Sequence, residues 1–104
     1  MVLTIAKEIT FTPDAMGNKK AKDKFTVTYR IPTALDIEKL IGNKVKDSDV
    51  FAEFVIKTDG IVDEHGALVK PTDIPKMNGT YPLVTEVAAA VLRAGMLSVE
   101  EKNA

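Results

Sequence analysis

Cysteine and tryptophan are absent from the 104 residues, and histidine occurs once, at His65. Without cysteine there is no disulfide, no thiolate metal site and no cysteine nucleophile, which suits a reducing compartment. Charge of one sign is also lacking. The formal net charge of −1 gives no global field to draw in nucleic acid or an anionic membrane. Long apolar runs are missing as well. The longest spans residues 87–92, whereas a bilayer crossing needs about 20 residues. The N-terminal stretch MVLTIAKEITF is broken by Lys7 and Glu8 and has no basic start before an apolar core, so it does not read as a secretory signal. Glycine-rich phosphate loops are absent too. Gly17, Gly42, Gly60, Gly66, Gly79 and Gly95 each punctuate a turn.

What is present fits one small globular domain over 1–104. Hydrophobic residues are 45% and charged residues 28% of the chain. A chain of this length buries about 65% of its unfolded surface, enough for one modest core. Residues 3–12 alternate: Leu3, Ile5, Lys7, Ile9 and Phe11 on one face, Thr4, Glu8, Thr10 and Thr12 on the other. Residues 24–31 repeat the pattern, with Phe25, Val27, Tyr29 and Ile31 on one face. A period of two marks half-buried strands, and two in succession predict an antiparallel pair. The connection 13–23 reads as a mobile loop. It carries Lys19, Lys20 and Lys22, with Lys24 just beyond. Those lysines are either a nucleic-acid or acidic-partner contact or a solvated tip. The lack of interleaved aromatics favours the tip.

Helical signals follow. Thr33 with Asp36 three residues on forms a capping pair, Ile37, Leu40 and Ile41 form a stripe, and Gly42 is a stop, predicting a helix over 34–41. Asp47 or Ser48 caps a second helix with Val50, Phe51, Phe54 and Val55 on its apolar face, ending at Gly60. Residues 61–69 predict a hairpin, with a Glu64-His65-Gly66 turn, Ile61 opposite Val69 and Val62 opposite Leu68. Residues 72–78 predict a helical turn. Thr80 and Pro82 start a last helix, ended by Gly95. Val84, Val87, Val91 and Leu92 point inward there. Leu83, Ala90, Met96 and Leu97 lie nearer the rim. Residues 98–104 form a frayed polar tail. The fold class is therefore α+β: an antiparallel sheet from the N-terminal half, about three helices, and a small hairpin.

The chemistry-bearing residues are sparse. Asp59, Asp63, Glu64, His65 and Asp73 cluster in sequence. However, a calcium loop needs acids at alternate positions where this segment has apolar residues, and one histidine does not make a zinc site. Ser48 and Ser98 lack a glycine-flanked elbow, so a serine–histidine–acid triad is a poor reading. No catalytic residue, metal or cofactor is expected, and the reading is non-enzymatic.

The segment GIVDEHGALVKPTDIPKMNGTYPLVTEVAAAVLRAG adds to this. It resembles the tail assembly chaperones of long-tailed bacteriophages: an amphipathic helix (here 51–57), a G-V-x-D-E-D-G hairpin (here 60–66, with His65 where an acid is usual), a proline and short turn (71–78), then a small-residue-rich helix (81–94). FTVTYRIPTALDIEKL is similar to the strand-then-helix entry of such proteins. The resemblance implies a non-enzymatic protein of the bacterial cytoplasm. It would bind the phage tape-measure protein, keep that long helical chain soluble, and recruit tail-tube subunits. Leu83, Val91, Met96 and Leu97 are the expected partner contacts, and exposed apolar patches also permit a homo-oligomer. Two other readings stand beside it. One is a small tail or head-tail structural component. The other is a nucleic-acid binder using Lys19, Lys20, Lys22 and Lys24.

Overall fold

The alternating segments do form strands. A computed structural model of the chain describes residues 1–96. In it, β1 (Glu8–Phe11) pairs with β2 (Thr26–Arg30) in antiparallel register, Ile9 opposite Tyr29 and Phe11 opposite Val27. Val27 and Tyr29 enter the core, and the Phe11 ring meets Tyr29 edge-on at 5.6 Å. On the opposite face the Thr10 and Thr28 hydroxyls share a hydrogen bond of 2.7 Å. β1 is shorter than the alternation over 3–12 predicts. Its ladder stops where Ile31 donates to the Lys7 carbonyl. Pro32, buried and without an N–H, then turns the chain towards α1, so residues 1–6 have no strand to pair with.

α1 (Ala34–Asn43) starts as its sequence dictates. The Asp36 N–H donates to Thr33 Oγ1 at 3.1 Å, and the Thr33 N–H donates to Asp36 Oδ2 at 2.9 Å. The same Asp36 oxygen accepts from Arg30 Nη1 at 2.7 Å, which ties the end of β2 to the first turn of α1. The stop is not Gly42. The helix continues to Asn43, and Lys44 takes the left-handed conformation at φ 48°. Of the predicted stripe, Leu40 is buried, Ile37 is half-buried and Ile41 is exposed.

The largest departure lies in the second helix. α2 (Asp47–Phe54) is followed without a loop by β3 (Val55–Asp59), so its predicted second half is a third strand, and residues 55–57 of the 51–57 helix implied by the family resemblance belong to it. Val55, Ile56 and Thr58 are β-branched and favour extended backbone. β2 offers them an open edge. Helical periodicity from Val50 to Val55 hides this switch, because Val55 is buried in either conformation. Neither Asp47 nor Ser48 caps α2. Lys46 holds that position and makes no side-chain cap. Two acids, Asp47 and Asp49, still sit in the first turn, where they complement the helix dipole.

β3 pairs antiparallel with β2, giving the order β1-β2-β3. The register shifts so that Thr28 faces Lys57 and Tyr29 faces Val55, leaving Ile56 as an unpaired, exposed residue. Gly60 ends this strand at φ 89°, where an added Cβ would sit 3.2 Å from the Phe25 backbone.

Besides a short 3-10 turn (Asn18–Lys20), two elements remain and cover one face of the sheet: a 3-10 helix (Pro71–Lys76) and α3 (Tyr81–Met96). Phe51, Val87, Ala88, Val91 and Ile74 are fully buried between them. Burial of each large apolar side chain there contributes about 1.5–3 kcal/mol. Thr80 holds the position before α3, and its carbonyl accepts from the Val84 N–H at 2.9 Å, but its hydroxyl is engaged elsewhere. That hydroxyl donates to the carbonyls of Ile74 and Met77 in the 3-10 segment, at 2.9 and 3.0 Å. Gly95 does not stop α3 either. It lies in the helix against α1, where a Cβ would meet Ile37 Cδ1 at 2.8 Å and Pro32 Cβ at 2.9 Å. The α+β architecture read from the sequence is present, and no described helix is long and apolar enough to cross a membrane.

The Arg30–Asp36–Thr33 cluster sets an acid response. Backbone donation from Thr33 and the Arg30 guanidinium lower the Asp36 pKa below the ordinary aspartate value. A folded-state pKa below the unfolded one adds stability at pH above the ordinary carboxyl range, and that stability is lost as pH falls through the lowered value. Asp36→Asn should therefore lower stability near neutral pH by a small, salt-sensitive amount. Chemical unfolding at a series of pH values should show the two proteins converging in acid.

Candidate partner-binding surface

The stretch Asp63 to Gly66 folds as a turn. Asp63 Oδ1 accepts from the N–H groups of His65 at 2.8 Å and Ala67 at 3.0 Å, and Gly66 sits at φ 80°. The Asp63 N–H donates to the Ala67 carbonyl at 2.8 Å, and Val62 pairs with Leu68 in an isolated antiparallel bridge. The hairpin thus closes in the predicted register but stays outside the three-stranded sheet. His65 is exposed, 3.5 Å from its neighbour Glu64. No group of three or more potential metal-ligating side chains converges among the described residues.

The connection 13–23 is anchored at two places. Buried Asn18 donates from Nδ2 to the carbonyls of Pro13 at 2.7 Å and Phe25 at 3.0 Å, and its Oδ1 accepts from the Phe25 N–H at 2.9 Å. Glu86 of α3 accepts the N–H groups of Asp14 and Ala15, both at 2.8 Å. These bonds fix the segment on α3 and present Met16, at φ 60° beside Gly17, outward. Lys19, Lys20 and Lys22 are exposed next to it. Lys24 is occupied differently, since its Nζ donates to the carbonyls of Asn18 and Lys19.

Between this segment, the hairpin and the 3-10 helix runs a groove of about 280 Å³, lined mostly by apolar side chains including Met16, Phe25, Ile61, Val62, Met77 and Leu83. It is large enough for side chains of a partner, not for a whole helix. Two flexible thioethers at its rim suit contact with varied apolar surfaces. A larger cleft of about 620 Å³ lies between the starts of α2 and α3, lined by Lys46, Asp47, Ser48, Asn78, Thr80 and Tyr81 among others. A third hollow of about 190 Å³ sits at the far end of α3 among Leu40, Ile41, Val45, Leu92 and Met96.

The expected contact residues do not form one surface. Leu83 is 3% exposed and serves as part of the groove wall, and Val91 is fully buried in the core, so neither offers a protruding contact. Val91 faces inward because residues 84, 87, 88 and 91 share the side of α3 that meets α2 and the sheet. Met96 is 60% exposed and lies at the opposite end of the helix from Leu83, about 20 Å away at the helical rise. Leu97, Ser98 and the tail 98–104 lie outside the described residues. Met16, Phe25, Val62 and Met77 were not anticipated from the sequence. The Met16-Gly17-Asn18 order was the available signal, because a glycine followed by asparagine marks a tight turn that presents its neighbour.

With this geometry in hand, comparison gives no relative: no protein-family profile, no curated protein and no solved structure matches the chain significantly.

The turn geometry separates the roles of the acidic cluster. Asp63→Ala removes two accepted hydrogen bonds and should cost about 1 kcal/mol. His65→Ala should stay within about 0.5 kcal/mol of the parent. Denaturant titration of the two variants checks the contrast.

Proposed function

We propose that this protein is a bacteriophage tail assembly chaperone. In this reading it binds the phage tape-measure chain in the cytoplasm of the bacterial host, holds it soluble, and is displaced as tail-tube subunits arrive. The observation that carries the reading is the apolar groove walled by Met16, Phe25, Val62 and Met77, placed beside the hairpin of the segment that resembles this family. A long helical chain presents apolar side chains at regular spacing, and a shallow groove takes a few of them at modest affinity. Many copies along one chain then supply the strength, while each copy stays displaceable. The exposed Lys19, Lys20 and Lys22 follow Met16 in the same segment and favour a partner with acids beside its apolar stripe.

A nucleic-acid role is the second reading, favoured only by those same three exposed lysines. It requires DNA binding whose affinity falls steeply with salt. A structural role in the tail or head-tail junction requires the protein in purified virions.

Co-expression with the tape-measure chain tests the proposal. The soluble fraction of that chain should rise with the parent protein. It should fall back at least about fivefold with Met16→Glu combined with Val62→Glu, both at exposed positions. An unchanged melting temperature in the double variant separates lost binding from lost folding. No rescue by the parent protein, with the tape-measure chain well expressed, overturns the reading.

A further inference from the structure

The outer edge of β1 and the chain before it have unspent bonding capacity. Ile31 donates to the Lys7 carbonyl, and Ile9 and Phe11 stand opposite Tyr29 and Val27. In an antiparallel ladder the hydrogen-bonding direction alternates residue by residue. The odd residues of β1 therefore bond to β2, and the peptide groups of Glu8 and Thr10 point away from the sheet. Among the described residues nothing accepts from or donates to those backbone groups. Before β1 lies an apolar arm. Val2, Leu3 and Ile5 are 91%, 65% and 72% exposed, and Met1 is exposed as well. An edge strand continued by exposed apolar residues is a template for another strand.

The arm continues the alternation of β1. Leu3 and Ile5 have the parity of Ile9 and Phe11, the half-buried core-side residues. Residues 3–6 lack a strand within their own chain, because β2 gives way to Pro32 and α1. A second copy supplies one. An antiparallel pairing of two β1 segments about a two-fold axis has only a few registers that keep core-side residues together. Centring it on residue 7 sets Lys7 against Lys7, and centring it on residue 8 sets Glu8 against Glu8. Like charges directly opposite are destabilising. Centring it on Ala6 avoids both. Leu3 then faces Ile9 of the second copy, Met1 faces Phe11, and Ile5 lies under the aliphatic stem of Lys7. In that register the bonded pairs are Ala6 with Ala6, Thr4 with Glu8 and Val2 with Thr10, the residues whose peptide groups point outward.

We infer that this edge is a self-association surface: two copies join their β1 strands and N-terminal arms antiparallel about Ala6, making one continuous six-stranded sheet. The interface is isologous, as two-fold symmetry requires. It covers the apolar arm of each copy with the core-side edge of the other. It shares no residue with the Met16–Met77 groove, so the dimer would carry two such grooves, and the inference stands independently of what those grooves bind.

The test is sedimentation equilibrium of the full chain, together with two substitutions. The parent protein should sediment at about twice 11.3 kDa at high micromolar concentration. Ala6→Pro removes the N–H at the two-fold position in both copies and should raise the dissociation constant at least about tenfold. Position 6 precedes β1, so circular dichroism and melting of the monomer should not change. Because the chain has no cysteine, Ala6→Cys gives a clean cross-link. Opposed bonded residues lie about 5.5 Å apart between Cα atoms, within disulfide range. Mild oxidation should link this variant into a dimer and leave Leu35→Cys, on exposed α1, unlinked. A parent protein that is monomeric at high concentration overturns the inference. So does a dimer that tolerates Ala6→Pro, or one that cross-links through Leu35→Cys and not through Ala6→Cys.

Discussion

The structure depends on the passage from α2 to β3 at Phe54. That residue is the last of the helix and is almost wholly buried, and Val55 opens the strand with no loop between. The Val55 N–H still donates to the Phe51 carbonyl, so the helix is capped by the strand that follows it. The Arg30 guanidinium covers the Phe54 ring at 4.3 Å and reaches Asp36 on its other side. One side chain therefore joins the end of β2, the first turn of α1 and the end of α2. The sheet and the helical layer are held in one geometry there. Everything placed by the layer, including the groove, inherits that geometry.

From this junction the surface follows. β3 runs to Gly60, whose positive φ and close approach to Phe25 turn the chain into the hairpin. The hairpin stands against the anchored segment 13–23, fixed by Asn18 and Glu86. The 3-10 helix, held to the start of α3 through the Thr80 hydroxyl, closes the third side. Three irregular segments thus form the groove, each set by a few hydrogen bonds from side chains to backbone on a regular scaffold. Binding residues often occupy such connections.

Much of the scaffold was legible in the sequence because it rests on local patterns. The strands of β1 and β2, the Thr33–Asp36 cap, the turn at Gly66 and the face of α3 carrying Val84, Val87 and Val91 all follow from alternation, capping chemistry and period. Three things were not legible. The switch at Phe54–Val55 was hidden because a buried valine satisfies both a helix and a strand pattern. Gly42 and Gly95 were misread as stops: Gly42 is an exposed helical residue with open space around it, and Gly95 packs closely against Pro32 and Ile37, and neither looks different in one dimension from a glycine that ends a helix. The groove was missed because Met16, Phe25, Val62 and Met77 meet only through tertiary contacts, and because one of the two anchors that place Met16 is Glu86, 71 residues beyond Ala15 in the chain. The exposed contact role expected for Leu83 and Val91 failed on the same ground. The width of the α3 apolar face shows that much must be buried, but not which rim residue stays outside.

The central claim is that the groove holds side chains of a long helical partner. The chain has four methionines, and they mark separate places: Met1 in the arm, Met16 and Met77 at the groove, Met96 at the end of α3. Methyl-labelled methionine spectra, recorded while a soluble helical segment of the tape-measure chain is titrated in, read all four at once. The account predicts that the Met16 and Met77 methyl signals move together and saturate, while Met96 stays in place. Movement of Met96 alone, or no movement of Met16 and Met77 at a saturating amount of the segment, would contradict it.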